Sequence, residues 1–112
     1  MKVFNHHIYE YKKGLRSLVL HTLPVHLREE AEQKLKHNHI PYVLRPVGKT
    51  KINIFFGEVE CVNIVESFGE KPLNELSDEE DFILGTMLGY CRLQQCRRYL
   101  KRKNYPELKR VI

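Results

Sequence analysis

Apolar residues recur along this chain with two periods, and the changes of period mark its elements. Phe4, Ile8 and Tyr11 sit at near-helical spacing and predict a short helix over Phe4–Lys13, with Gly14 at the left-handed position that ends it. Leu15 to Thr22 is rich in Leu and Val and bounded by Gly14 and Pro24, the pattern of a strand partly covered on both faces. Pro24 suits the first turn of a second helix, in which Leu27, Ala31 and Leu35 form the apolar stripe. On its far side Glu30 precedes Lys34, and Glu32 precedes Lys36, in the favourable order for helical ion pairs. Pro41 biases Ile40 away from helical angles, so this helix is predicted to stop near Asn38.

Tyr42–Val47 and Lys51–Phe56 read as two strands around Gly48-Lys49-Thr50. In the second, Ile52, Ile54 and Phe56 share one face, opposite Lys51, Asn53 and Phe55. Pro46 has no N–H to donate, which places the first of the pair at a sheet edge. Val59, Val62, Ile64, Val65 and Phe68 predict a third short helix up to Gly69, with a strand as the competing reading. Ser77 and Glu80 have capping-box spacing, and Asp78, Glu79 and Asp81 add negative charge where a helix start favours it. One long helix is predicted from there to about Lys103, with Pro106 closing the segment.

This order predicts an α+β fold in one domain over residues 1–112. Its core is strand-helix-strand-strand-helix, with a three-stranded antiparallel sheet of order 1-3-2, plus the long C-terminal helix. Helices are expected on one face of the sheet. The first strand is left with a free edge that another element or subunit must cover.

Gly85 and Gly89 each cost the long helix about 1 kcal/mol relative to Ala. With Leu93, Cys96 and Leu100 they line a stripe where another backbone can approach, while Ile83, Leu84, Met87, Leu88 and Cys91 form a second face to bury on the sheet. Either both faces pack within the monomer, or Gly85, Gly89, Leu93 and Cys96 form the crossing of a symmetric homodimer.

Composition narrows the classes. With 42% hydrophobic and 29% charged residues in 112, the chain can build a core, which excludes a disordered tail. It has no apolar run of membrane-spanning length, its start does not resemble a secretory leader, and its three Cys are an odd number at unrelated spacings. A cytoplasmic location is therefore expected. Gly48-Lys49-Thr50 resembles the end of a phosphate-binding loop, but Val43 stands where that motif needs Gly and a strand follows where it needs a helix, so it reads as a hairpin turn.

The six histidines include two clusters, His6-His7 and His37-Asn38-His39. His37 and His39, with His26 or Glu30, are the set that a metal would use, without a recognised ligand spacing. His21, at a strand end, is the histidine to examine as an acid or base. Cys91 and Cys96 face different ways on a helix, and acids around Cys61 would raise its pKa, so no nucleophile is assigned. No catalytic residue, metal or cofactor follows from these patterns.

Charge is segregated. From Glu58 to Asp81 the only base is Lys71, whereas from Arg92 to Arg110 the only acid is Glu107, so the net charge of +5 hides a dipolar molecule. Arg97, Arg98, Lys101 and Arg102, with Tyr99 and Tyr105 among them, suit an acidic protein. They also suit nucleic acid, by phosphate contact and base stacking. Two further readings are a solvated helix end and a basic arm lying on the acidic stretch of another subunit.

Two blocks, Phe4-Asn5-His6-His7-Ile8-Tyr9-Glu10-Tyr11-Lys12-Lys13-Gly14-Leu15-Arg16 and Gly85-Thr86-Met87-Leu88-Gly89-Tyr90-Cys91 with Gln95-Cys96-Arg97-Arg98-Tyr99, resemble a small bacterial family. It is the domain-of-unknown-function family number two thousand and twenty-three. The resemblance implies three strands, five helices and a homodimer, with one further short helix placed near Pro72 to Leu76. It carries over no catalytic or binding residues. It also implies a gene neighbourhood with flavodoxins, whose acidity suits the basic arm.

Three functions follow as expectations. The first is a homodimeric binding module that docks an acidic redox protein, such as a flavodoxin, through Arg97, Arg98, Lys101, Arg102 and Tyr105. The second is nucleic-acid binding through the same arm. The third is a small enzyme or metal protein built on His21, His26, His37 and His39.

Overall fold

Strand pairing organises the chain. In a computed structural model, which describes residues 1–105, β1 (Leu18–Pro24), β2 (Tyr42–Val47) and β3 (Lys51–Gly57) form one antiparallel sheet of order β1-β3-β2. Five helices surround it: α1 (Lys2–Lys12), α2 (Arg28–His37), α3 (Val59–Ser67), α4 (Asp78–Met87) and α5 (Arg92–Arg102). Short 3-10 turns at Val25–Leu27 and Leu73–Glu75 complete it. The class is α+β, as the patterning predicts. Pro106, Glu107, Lys109 and Arg110 lie outside the described residues.

Alternation along the strands builds two cores rather than one. Val19, Leu23, Ile52, Ile54 and Phe56 point to one face, where Phe4 and Ile8 of α1 and Ala31 and Leu35 of α2 bury them. Leu18 and Phe55 point to the other face and meet Val62 and Val65 of α3 with Leu84 and Leu88. This corrects the expected one-sided cover. Phe55 is 1% exposed although it neighbours Asn53 and Lys51 in the pattern, so both faces of β3 are apolar where they matter and each needs a helical layer.

The long C-terminal helix is also corrected, to two helices. Gly89 takes a left-handed φ of +83°, its N–H bonds Thr86 O, and the Tyr90 N–H reaches back to Gly85 O. That bond pair is the Schellman arrangement, and it ends α4 as Gly14, at φ +77°, ends α1. The chain then turns, and α5 folds back antiparallel on α4. The capping box is formed as read, with Ser77 Oγ accepting from the Glu80 N–H and Glu80 Oε1 accepting from the Ser77 N–H.

Smaller corrections are local. β1 begins at Leu18 rather than Leu15, and Pro24 closes that strand, so α2 starts at Arg28. Glu32 pairs with Arg28 at 3.1 Å and accepts from Tyr42 Oη at 2.8 Å, in place of the expected pair with Lys36. The short element expected near Pro72 to Leu76 is the 3-10 turn Leu73–Glu75.

β1 is a true edge. Val25 N–H to Thr50 O and Glu58 N–H to Ser17 O bracket its ladder with β3, so strict alternation turns the backbone groups of Leu18, Leu20 and Thr22 away from β3. Among the described residues, no other backbone group pairs with them.

Candidate functional site

The basic arm is α5, and its setting explains the segregated charge. Arg98 makes a two-pronged pair with Asp81, Nε to Oδ2 at 2.7 Å and Nη2 to Oδ1 at 3.0 Å. Arg102 reaches Asp78 at 2.8 Å and Asp81 at 2.9 Å, and its Nη2 donates to Leu76 O. Lys103 lies 2.7 Å from Glu79, which also accepts from Tyr99 Oη at 2.9 Å. The C-terminal end of α5 thus meets the N-terminal end of α4, where both dipoles favour the charges present. The Arg98 guanidinium, and Arg102 beside it, hold the Asp81 carboxyl below the usual carboxylate range. The basic arm lies on the acids of its own chain.

The consequence is an inside-out helix. α5 buries no residue at all. Its ionic and polar side faces α4, while Leu93, Cys96 and Leu100 face outward beside Phe82 and Ile83. Leu93 is 58% exposed and Leu100 43%. A shallow groove of about 460 Å³ runs here, lined by Glu79, Phe82, Ile83, Cys96, Tyr99 and Leu100. Phe82 and Tyr99 form its floor, edge to face at 5.5 Å. On the flank of α5, Arg97 and Lys101 are exposed and, among the described residues, have no ion-pair partner.

The expected site residues therefore separate. Leu93 and Cys96 lie on the exposed apolar face. Gly85 does not, because a side chain there would run into Gln95 of α5, and Gly89 sits in the turn between the helices. The continuous helix on which those four shared a stripe does not exist. Ile83 and Cys91, expected to bury on the sheet, are exposed, whereas Leu84 and Leu88 are buried as read. Of the four basic residues, Arg98 and Arg102 are held within the chain, and Arg97 and Lys101 point out. Tyr105 is 61% exposed just beyond α5. Sequence reading missed Asp81 as the anchor of Arg98. The available signal was acid and base at matched distances either side of Gly89.

The histidines do not converge. His21 packs edge-on against Phe4 and His7, each at 5.3 Å, and burial, then His7 and the chain's amino terminus, hold it below the ordinary imidazole value. His7 Nδ1 lies 3.2 Å from Arg16 Nη1 and 3.4 Å from Glu10 Oε1. His37 ends α2 and His39 follows with a left-handed φ of 55°. Neither they nor His26 join a group of three His, Cys, Asp or Glu that could hold a metal among the described residues. Burial, and then Glu58 and Glu60, push the Cys61 thiol up, as its acidic neighbours suggested.

The family model described as "Protein of unknown function (DUF2023)" matches residues 2–102, and the chain belongs to that family. No curated protein matches the chain. No helix among the described residues is long and apolar enough to cross a membrane.

Proposed function

We propose that this protein is a binding module that docks an acidic partner protein on the outer face of α5. One observation carries the reading: α5 is fastened by ion pairs and turns its apolar stripe to solvent. A stripe of Leu93, Cys96 and Leu100 beside Phe82 and Ile83 supplies area to desolvate, and Arg97 and Lys101 supply steering charge at its rim. A flavodoxin-like redox protein is the partner that the family resemblance suggests. Nucleic acid is less well served, because Arg98 and Arg102 already spend their donors on carboxylates and backbone.

The test is binding of purified partner at low and high salt. Arg97→Glu with Lys101→Glu should weaken binding at least about tenfold and flatten its salt dependence, with the fold unchanged. Unchanged affinity removes α5 from the account.

The second reading is a homodimer through the same stripe, favoured by the exposed Leu93 and the half-buried Cys96 beside it. It brings Arg97 and Lys101 close to their own symmetry copies, which is why it ranks second. Sedimentation separates the two, since the charge reversal weakens an acidic partner and relieves a dimer, whereas Leu100→Asp disrupts both.

A further inference from the structure

A second site lies on the sheet, apart from the α5 face. Thr22, Asn53 and Arg45 stand opposite one another in the registers of β1, β3 and β2, so they form one polar row across all three strands. The row follows the last apolar row of the α3–α4 core, Leu20, Phe55 and Val43, where neither helix covers the sheet. The segment Lys71–Asn74 flanks it, forming a half-open cavity of about 370 Å³ whose walls include Pro46, Val47, Pro72 and Leu73.

Asn53 is the one buried polar residue among the described residues, 6% exposed, and it lines that cavity. Its Oδ1 accepts from Thr22 Oγ1 at 2.6 Å, and Nδ2 has no partner among the described residues. No polar side-chain atom sealed from solvent lacks a partner there, so Nδ2 borders open space, and the cavity is that space. Beside it, Arg45 donates Nε to Gly69 O at 3.1 Å and Nη1 to Leu44 O at 2.9 Å. Both partners are neutral carbonyls, so among the described residues the positive charge has no carboxylate partner and Nη2 no acceptor. Lys71, at the rim, already pairs with Glu80. Asn74 adds an exposed amide to the lining, the Arg45 guanidinium leaves the net charge positive, and Pro46, Val47, Pro72 and Leu73 make the walls apolar.

We infer that this cavity binds a small carboxylate with a short apolar tail. The carboxylate oxygens accept from Asn53 Nδ2 and Arg45 Nη2, and the tail lies against Pro46, Val47, Pro72 and Leu73. Gly48, the glycine of the turn that imitates a phosphate-binding loop, lines the same cavity. The loop therefore borders a ligand site of a different kind.

The test is a titration of the ¹⁵N-labelled full chain with sodium isovalerate, followed through the Asn53 side-chain amide and the Gly48 backbone amide. Both should shift saturably at millimolar concentration. Arg45→Met should weaken binding at least about tenfold, and Arg45→Lys should recover part of the loss. Isoamyl alcohol, with the same tail and no charge, tests the anion without any variant and should give no saturable shift. Failure of isovalerate to saturate, equal binding by the alcohol, undiminished binding in a folded Arg45→Met protein, or saturation by inorganic phosphate alone would each overturn the assignment.

Discussion

α1 and α5 are both eleven-residue helices at the surface of this small sheet, and they are attached by opposite means. α1 buries Phe4 and Ile8, with Phe4 edge-on to Phe56 at 5.5 Å, and turns its charges outward. α5 does the reverse, turning arginines inward to Asp78 and Asp81 and its leucines to water. Apolar burial is strong, indifferent to salt and geometrically tolerant. Half-exposed ion pairs are weak, salt-sensitive and directional. The difference teaches that a helix whose apolar side must stay available is best held from its polar side.

The comparison can be broken most forcefully at α1. Phe4→Ala should cost about 3–5 kcal/mol in chemical denaturation, because a fully buried ring leaves a cavity between α1 and the sheet. At α5, Asp81→Ala removes the acceptor shared by Arg98 and Arg102 and should cost about 1–2 kcal/mol. Its diagnostic is faster amide exchange confined to Arg92–Lys103, with β1 and β3 still protected. If the whole sheet loosens instead, α5 is integral to the core and the contrast is wrong.

Acidity gives a milder version of the same break. Asp81 has a depressed pKa in the folded state, so its contribution is complete above about pH 4 and fades as the pH falls through the lower folded value. The protection of the α5 amides relative to intrinsic exchange should fall below about pH 4 before that of α1 does. Screening acts similarly, since at about 1 M salt the Debye length is roughly 3 Å, and α5 should loosen where α1 does not. The smallest effect should come from Leu100→Ser, which should shift stability by no more than about 0.5 kcal/mol while impairing partner capture.

Local chemistry made most of the fold legible. Ser77 and Glu80 announced a helix start, Pro46 an edge strand, Gly14 a helix end, and the crossover with a hairpin gave the order β1-β3-β2. What was not legible depended on partners distant in the chain. Gly89 reads as a tolerated helix glycine until the bonds to Thr86 and Gly85 show a terminator. Asn53 reads as one polar position of an alternating strand until Thr22 and Arg45 arrive beside it from two other strands. The basic arm was read correctly as charged and without its anchors, because charge complementarity within a chain needs the turn before it can be seen.

The strand order has a consequence for how the sheet assembles. β2 and β3 close over Gly48-Lys49-Thr50, so their ladder begins with little chain entropy lost. β1 gains its first ladder bond only after the whole stretch from Pro24 to Lys51, with α2 inside it, has been drawn into a loop. Of the two edge strands, β1 is thus the one whose recruitment costs most chain freedom. β1 is the natural limit on the folding rate, because its buried Leu18, Val19 and Leu23 join the two cores only once that loop is closed.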